Sequence, residues 1–128
     1  MNTAVAGKIY PDVPFRIDPE RVRAFRAIFD ERSGVPATFP TAAEFSVIPD
    51  VVADPELELD FSRVLHGTQE YEFHRPLVEG EHLVIRTRID SIREMRGNAF
   101  LVLVTELVDP GGEIVCVARS TMVERAES

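Results

Sequence analysis

The sequence predicts an α+β fold in which an antiparallel sheet wraps around a central helix. Three observations predict it. Helix punctuation occurs twice in the first half, at Asp18-Pro19-Glu20 and at Thr41-Ala42-Ala43-Glu44. From Ser62 onward the apolar pattern switches to a period of two, in four long runs separated by turn residues. The chain is 128 residues long, which leaves room for one domain, residues 1–128. Helices and strands segregated along one short chain make two packed layers.

The first strand candidate is Ile9 to Ile17. Pro11 and Pro14 remove ladder donors from it, so it belongs at a sheet edge or is irregular. Asp18 then supplies a helix N-cap, Pro19 suits the first helical position, and Glu20 favours the positive end of the helix dipole. Val22, Phe25, Ile28 and Phe29 recur on one face of this helix, and Ser33-Gly34 stops it. The second helix opens on a capping box, Thr41 at the cap and Glu44 reaching back. Ala42, Phe45, Ile48 and Val52 would face inward. Pro49 predicts a kink or an early end. Asp54 to Asp60 is acidic, carries Pro55 and reads as a loop.

Val64–Phe73 alternates, with Leu65, Gly67, Tyr71 and Phe73 on one face and His66, Thr68, Glu70 and Glu72 on the other. His82–Ile92 alternates too: Leu83, Ile85 and Ile89 against Arg86, Arg88 and Asp90. Ala99–Val108 is apolar on both faces and should be a central strand covered on both sides. Ile114–Val123 is the fourth. Gly97-Asn98 and Asp109-Pro110-Gly111-Gly112 read as hairpin turns, and Pro76 to Gly80 as a looser one. A curved antiparallel sheet around one amphipathic helix is a hot-dog architecture. A cystatin-like cone is the alternative, but it would place its helix before all of its long strands.

Composition narrows the function classes. The chain is 45% hydrophobic and 28% charged, enough apolar residue to bury a core, which excludes global disorder. Its net charge of -8 makes nucleic acid and anionic membrane poor partners. Lys8 is the one lysine among scattered arginines. Met1 to Gly7 shows no leader pattern, and the longest apolar run, Ala99–Val104, is too short to span a bilayer, so the expected location is the cytoplasm. Cys116 is alone and leaves no disulfide or cysteine-based metal motif. No metal site is expected from the His, Cys, Asp and Glu spacing. There is no Gly-x-Ser-x-Gly elbow and no Gly-rich phosphate loop before a helix.

The chemistry-bearing residues are few. His66 lies within a strand, where a solvent-facing polar residue is the ordinary reading. Gly67 beside it marks a bulge or the close approach of another backbone or a ligand. Gly67→Val should therefore disturb assembly or ligand entry more than folding. His74 and His82 flank turns and read as surface residues. Glu44 on a central helix could activate water for thioester hydrolysis, but the capping box already accounts for it. Phe39, Phe45 and Phe61 read as core, or as the lining of an acyl channel.

The stretch from Val64 to Leu83, VLHGTQEYEFHRPLVEGEHL, resembles the LHG-x-Q-x-F-x-[YF]-HRP-x-x-x-GD-x-L segment of the MaoC-like dehydratase N-terminal (FAS1-like dehydratase) family. Tyr10-Pro11, the Asp18–Phe29 helix, Thr38-Phe39 and the run from Asp90 to Gly97 fit the same family. Gly80-Glu81 replaces the usual Gly-Asp, and the connection from Asp30 to Ala37 is short.

The resemblance implies a hot-dog domain of the (R)-specific enoyl-thioester hydratase or 3-hydroxyacyl-thioester dehydratase class. Catalytic relatives carry an Asp and a His in a pattern like GD-x-NP-x-H, and no such pair occurs here. The implied role is therefore that of a subunit shaping the acyl tunnel, similar to the non-catalytic subunit of heterodimeric (3R)-hydroxyacyl-ACP dehydratases. A partner chain would supply the Asp/His pair, so no catalytic residue is assigned to this one. The expected ligand is an acyl-CoA or acyl-ACP thioester, with no cofactor. The chain is expected to form at least a dimer, with itself or with a catalytic subunit. Thr38, Phe39, Thr41, Phe45, His66, Gly67 and Gln69 are the expected substrate-binding residues. Three alternatives stay open: a homodimeric acyl-CoA thioesterase using Glu44, a non-enzymatic acyl-binding protein, and weak activity of this chain's own with His66 as an unconventional base. Docking of an acidic carrier protein would need Arg75, Arg86 and Arg88 to cluster at the tunnel mouth.

Overall fold

Residues 1–28 and 34–127 are described by the computed structural model. The elements are β1 (Val13–Arg16), α1 (Pro19–Ile28), α2 (Pro40–Val52), β2 (Val64–Phe73), β3 (His82–Met95), β4 (Asn98–Val108) and β5 (Ile114–Glu124). The strands form one antiparallel sheet in the order β1-β3-β4-β5-β2, and α2 packs on its inner face. This is the hot-dog arrangement.

The two prolines act as expected on β1. It is a four-residue edge strand paired to β3 from Val13↔Ile85 to Arg16↔His82, with Ile9 reaching the sheet only through a single bridge to Arg88. The Asp18 carboxylate accepts from the Glu20 N–H at 3.0 Å, opening α1. Val22 is buried and Phe25 packs edge-on against Phe39, but Ile28, placed on the same face by periodicity, is exposed. α1 lies at the rim of the core, so its inward stripe is only two turns long. Phe29 and Ser33 lie outside the described residues.

α2 departs from its expected start. Phe39 is the N-cap and Pro40 the first helical residue, so the helix begins one position before the Thr41 box. No capping box forms. Proline is suited to that first position because its missing N–H would be unsatisfied there anyway. The buried residues are Pro40, Ala42, Ala43, Glu44, Val47 and Val51. Ala42 is buried as expected and Ile48 and Val52 are half-buried, but the stripe is centred on Ala43, Glu44, Val47 and Val51, offset from the expected one. Phe45, expected inward, is 64% exposed. Nor does Pro49 end the helix: α2 continues to Val52, and the Ala53 N–H closes on the Pro49 carbonyl at 3.0 Å. The 54–60 loop carries a buried Leu57, and Asp54 is held by Lys8 Nζ at 2.7 Å and Tyr10 Oη at 2.8 Å.

β4 is the middle strand, as its apolar run requires. Its inner residues Ala99, Leu101 and Leu103 are buried, but Phe100 and Val102 on the outer face are only half-covered. Val104 on that same face is buried, so the outer side of the strand is covered around Val104 and open towards Phe100. The β3–β4 turn centres on Arg96-Gly97, both in the left-handed region, with Asn98 already paired to Met95. That is the two-residue turn whose twist suits a hairpin.

The segment after β2 is not a hairpin turn. β2 pairs with β5, so the chain must leave one edge of the sheet and cross to β3. The crossing is pinned by Glu81, which accepts from Arg75 in a two-pronged pair at 2.7 and 3.1 Å and from the Val78 N–H at 2.6 Å. Gly80, at φ +84°, donates its N–H to the Ile17 carbonyl at 2.7 Å. Much of the signature between His74 and Glu81 therefore serves this crossover. It leaves β2, ten residues long, as the second sheet edge.

Candidate functional site

A cavity of about 280 Å³ lies between the start of α2 and the β2–β5 end of the sheet. Its wall is largely apolar, from Phe45 and Ile48 of α2, Phe61 and Val64 before and within β2, and Met122 of β5. Its polar residues are Thr41, Glu44, His66, Gln69 and Ser120.

The backbone event that assembles these residues is a bulge. Pairing runs His66↔Met122 and then Thr68↔Thr121, so Gly67 is the extra residue. A Cβ at Gly67 would sit 3.3 Å from the Thr121 carbonyl oxygen, so this is a close backbone approach within the sheet itself. One inserted residue flips the parity of everything after it. His66 therefore shares the inner face with Gln69 and Tyr71, which strict alternation would have put on the opposite side. The expected grouping of His66 with Thr68, Glu70 and Glu72 is corrected on this ground. The His66 ring nitrogen Nε2 lies 3.1 Å from the Ser120 hydroxyl.

Glu44 is the centre of the polar group. It is 3% exposed. Gln69 Nε2 donates to its two oxygens at 3.0 and 3.1 Å, and the Tyr71 hydroxyl donates to Oε1 at 3.2 Å. Thr41 Oγ1 in turn is hydrogen-bonded to that Tyr71 hydroxyl. The Thr41 N–H bonds the Thr38 carbonyl at 3.1 Å instead of a Glu44 oxygen, so the structural explanation expected for Glu44 does not operate. Burial raises the Glu44 carboxyl above the ordinary carboxylate range, and the Gln69 and Tyr71 bonds oppose that only in part. The Tyr71 hydroxyl, on a half-buried side chain, is pushed up to about 12, chiefly by desolvation. Nearby Cys116 is likewise raised by burial, to about 12, and is an inert thiol.

Of the residues expected at the site, Thr41, Phe45, His66 and Gln69 line the cavity, and Gly67 forms the bulge beside it. Thr38 is an exposed residue just before α2. Phe39 is wholly buried against Phe25 and Phe15, with ring centroids at 5.2 and 6.4 Å, and belongs to the core. Phe61, read as core or as channel lining, is not core: it is 63% exposed at the cavity mouth. Ser120, Ile48, Val64 and Met122 were not foreseen at the site. Ser120 did carry a signal, being polar among the apolar inward positions Cys116, Ala118 and Met122. Among the described residues no group of three His, Cys, Asp or Glu side chains is disposed to hold a metal. No helix is long and apolar enough to cross a membrane.

The three arginines do not gather at the mouth of this cavity. Arg75 is held by Glu81, Arg86 pairs with Asp12 at 3.3 Å, and Arg88 with Glu106 at 3.6 Å and Asp90 at 3.8 Å.

Residues 10–118 match the FAS1-like, dehydratase domain region. The chain belongs to the FAS1-like dehydratase family. A UPF0336 protein of Saccharopolyspora erythraea is 34% identical, over 98% of this chain and 92% of its own length. A second UPF0336 protein, from Streptomyces coelicolor, is 31% identical over 98% and 96%. The same fold occurs in the C-terminally truncated HadBC (3R)-hydroxyacyl-ACP dehydratase complex of Mycobacterium tuberculosis, with TM-score 0.81, 23% identity, and coverage of 96% of this chain and 99% of that one. It recurs in an (R)-hydratase of A. caviae at TM-score 0.66 and 15% identity, covering 95% and 96%. The FAS1-like dehydratase assignment thus agrees with the hot-dog architecture and with the signature from Val64 to Leu83.

Proposed function

We propose that this FAS1-like dehydratase chain is one half of an (R)-specific enoyl-thioester hydratase or 3-hydroxyacyl-thioester dehydratase. Its cavity holds part of the acyl chain, and a partner hot-dog chain supplies the catalytic Asp/His pair. The reaction is the reversible syn addition of water to a trans-2-enoyl thioester, giving the (R)-3-hydroxyacyl form. The thioester already acidifies the α-proton, so the chemistry needs a positioned acid and base and no cofactor. The observation that carries this reading is an apolar cavity opening beside a long, unpaired sheet edge. Such an edge is a ready template for another strand. Phe45 and Phe61, exposed at the cavity mouth, are then covered by the partner. The HadBC likeness supports a two-chain arrangement, since that protein is itself a complex.

The acyl group is carried by coenzyme A or by an acyl carrier protein. The engagement of Arg75, Arg86 and Arg88 away from the cavity favours a carrier protein docking on the partner and not on this chain. The test is hydration of crotonyl-CoA by this chain alone, then with the MaoC-like protein encoded beside it. The expected result is turnover only in the mixture. Full activity from this chain alone contradicts the two-chain reading.

One observation favours a second reading, an acyl-CoA thioesterase. Glu44 is a buried carboxylate facing the cavity, and its capping role has gone. Release of free thiol from acyl-CoA, lost in Glu44→Gln, would establish it in place of the first. A non-enzymatic acyl-binding role would show binding with neither activity.

A further inference from the structure

An ionised carboxylate in an apolar wall has to be compensated, and Glu44 is compensated incompletely. Its hydrogen-bond partners are an amide and a phenol, and His66, on the same cavity wall, acts on it only by electrostatic attraction. A carboxylate offers about four acceptor positions over its two oxygens. Among the described residues, Oε2 accepts only from Gln69 Nε2, which it shares with Oε1. Tyr71 cannot turn to serve Oε2 without giving up Oε1, and its hydroxyl is already tied to Thr41. Water at the open side of the cavity can fill the remaining acceptor positions. A purely hydrocarbon ligand that enters would displace it and leave the carboxylate against methylene groups, which is costly. A ligand with a hydrogen-bond donor at that point restores the lost bond.

We propose that Glu44 is a specificity-determining residue, and that the cavity selects an acyl chain bearing a hydroxyl group over a saturated chain of the same length. This rests on the acyl-thioester reading above. In that reading the reacting carbons, the second and third of the acyl group, sit at the partner's Asp/His pair. The hydroxyl that meets Glu44 is therefore a different one, further along the chain. The rest of the wall, with Ile48, Val64 and Met122, takes the methylene groups on either side. Sites that hydrogen-bond a ligand hydroxyl discriminate strongly against analogues lacking it, because the buried acceptor is then left unpaired.

The experiment measures binding of coenzyme A thioesters to the full chain in the presence of its partner. The probes are octanoyl-CoA, 3-hydroxyoctanoyl-CoA and a series hydroxylated once at carbons 5 to 8. The expected result is that at least one of the distal hydroxyl probes binds about tenfold more tightly than octanoyl-CoA, the scale of one charge-assisted hydrogen bond in a water-poor site. Glu44→Leu should abolish that preference by tightening octanoyl-CoA and weakening the hydroxylated probe. Glu44→Gln, which keeps an acceptor oxygen and a similar shape, should keep part of it and controls for loss of fold. Equal binding of all probes, or a preference that persists in Glu44→Leu, overturns the proposal while leaving the acyl-thioester reading standing. A preference confined to the 3-hydroxyl probe overturns the distal placement. If no thioester binds, the acyl-thioester reading itself fails and takes this one with it.

Discussion

Glu44 carries a carboxylate to a place where burial opposes its charge, and stability should register that. Its folded-state value lies above the ordinary 4.5 because burial outweighs the Gln69 and Tyr71 bonds and the attraction of His66 together. As pH rises past the unfolded value, the unfolded chain releases the proton first. The native state then binds more protons, and stability falls until Glu44 ionises in the fold as well. Glu44→Gln removes this loss. Its midpoint in thermal unfolding relative to wild type should therefore rise with pH above about 4.5 and level off once the native Glu44 has ionised. A difference that stays flat from pH 4 to 8 would show that burial does not control this group. The Thr-x-x-Glu pattern in the sequence pointed elsewhere because it is a local signal. Pro40, one residue upstream of Thr41, starts the helix earlier and leaves Glu44 on its buried stripe. That Glu44 would then meet Gln69 and Tyr71, 25 and 27 residues away, is a tertiary fact that no local pattern carries.

At the scale of elements, β2 controls the site. Its limits, Val64 to Phe73, are readable from alternation, and so is the irregularity at Gly67. The consequence of the irregularity is harder to read. A bulge reverses which side chains face inward, and only the pairing with β5 shows that His66 and Gln69 end on the same face. The neighbours of β2 were also hidden, because succession along the chain suggests β3, while the pair actually formed is with β5. Gly67→Val tests the bulge. A Cβ there meets the Thr121 carbonyl at 3.3 Å and the Val123 methyl Cγ2 at 3.6 Å, so a cost to the sheet is expected beside the effect on assembly or ligand entry expected from the sequence. Forced overpacking of this kind typically costs about 1–3 kcal/mol, which urea unfolding would read as a lower midpoint. An unchanged midpoint would mean that the close approach is relieved at no cost.

At the scale of the molecule, the α+β class, the antiparallel sheet and the wrapped helix were legible from punctuation and periodicity alone. Hydrophobic pattern, prolines and turn residues act locally and survive into the fold. The crossover pinned by Arg75 and Glu81, the offset face of α2 and the cavity between α2 and β2 depend on contacts between distant segments. One feature unites the molecule with its proposed role: a cavity at an open sheet edge is half of an enclosure. If the acyl chain lies in this cavity while chemistry occurs on a partner, then narrowing the cavity should penalise long substrates selectively. The measurement is kcat/KM of the reconstituted pair for trans-2-octenoyl-CoA and for crotonyl-CoA, with wild-type chain and with Ile48→Phe. Ile48 lines the cavity from a half-buried position on α2, where a larger side chain can be tolerated by the helix. The octenoyl value should fall at least about tenfold while the crotonyl value stays within about twofold. Equal values for wild type and variant on both substrates would contradict that placement of the acyl chain.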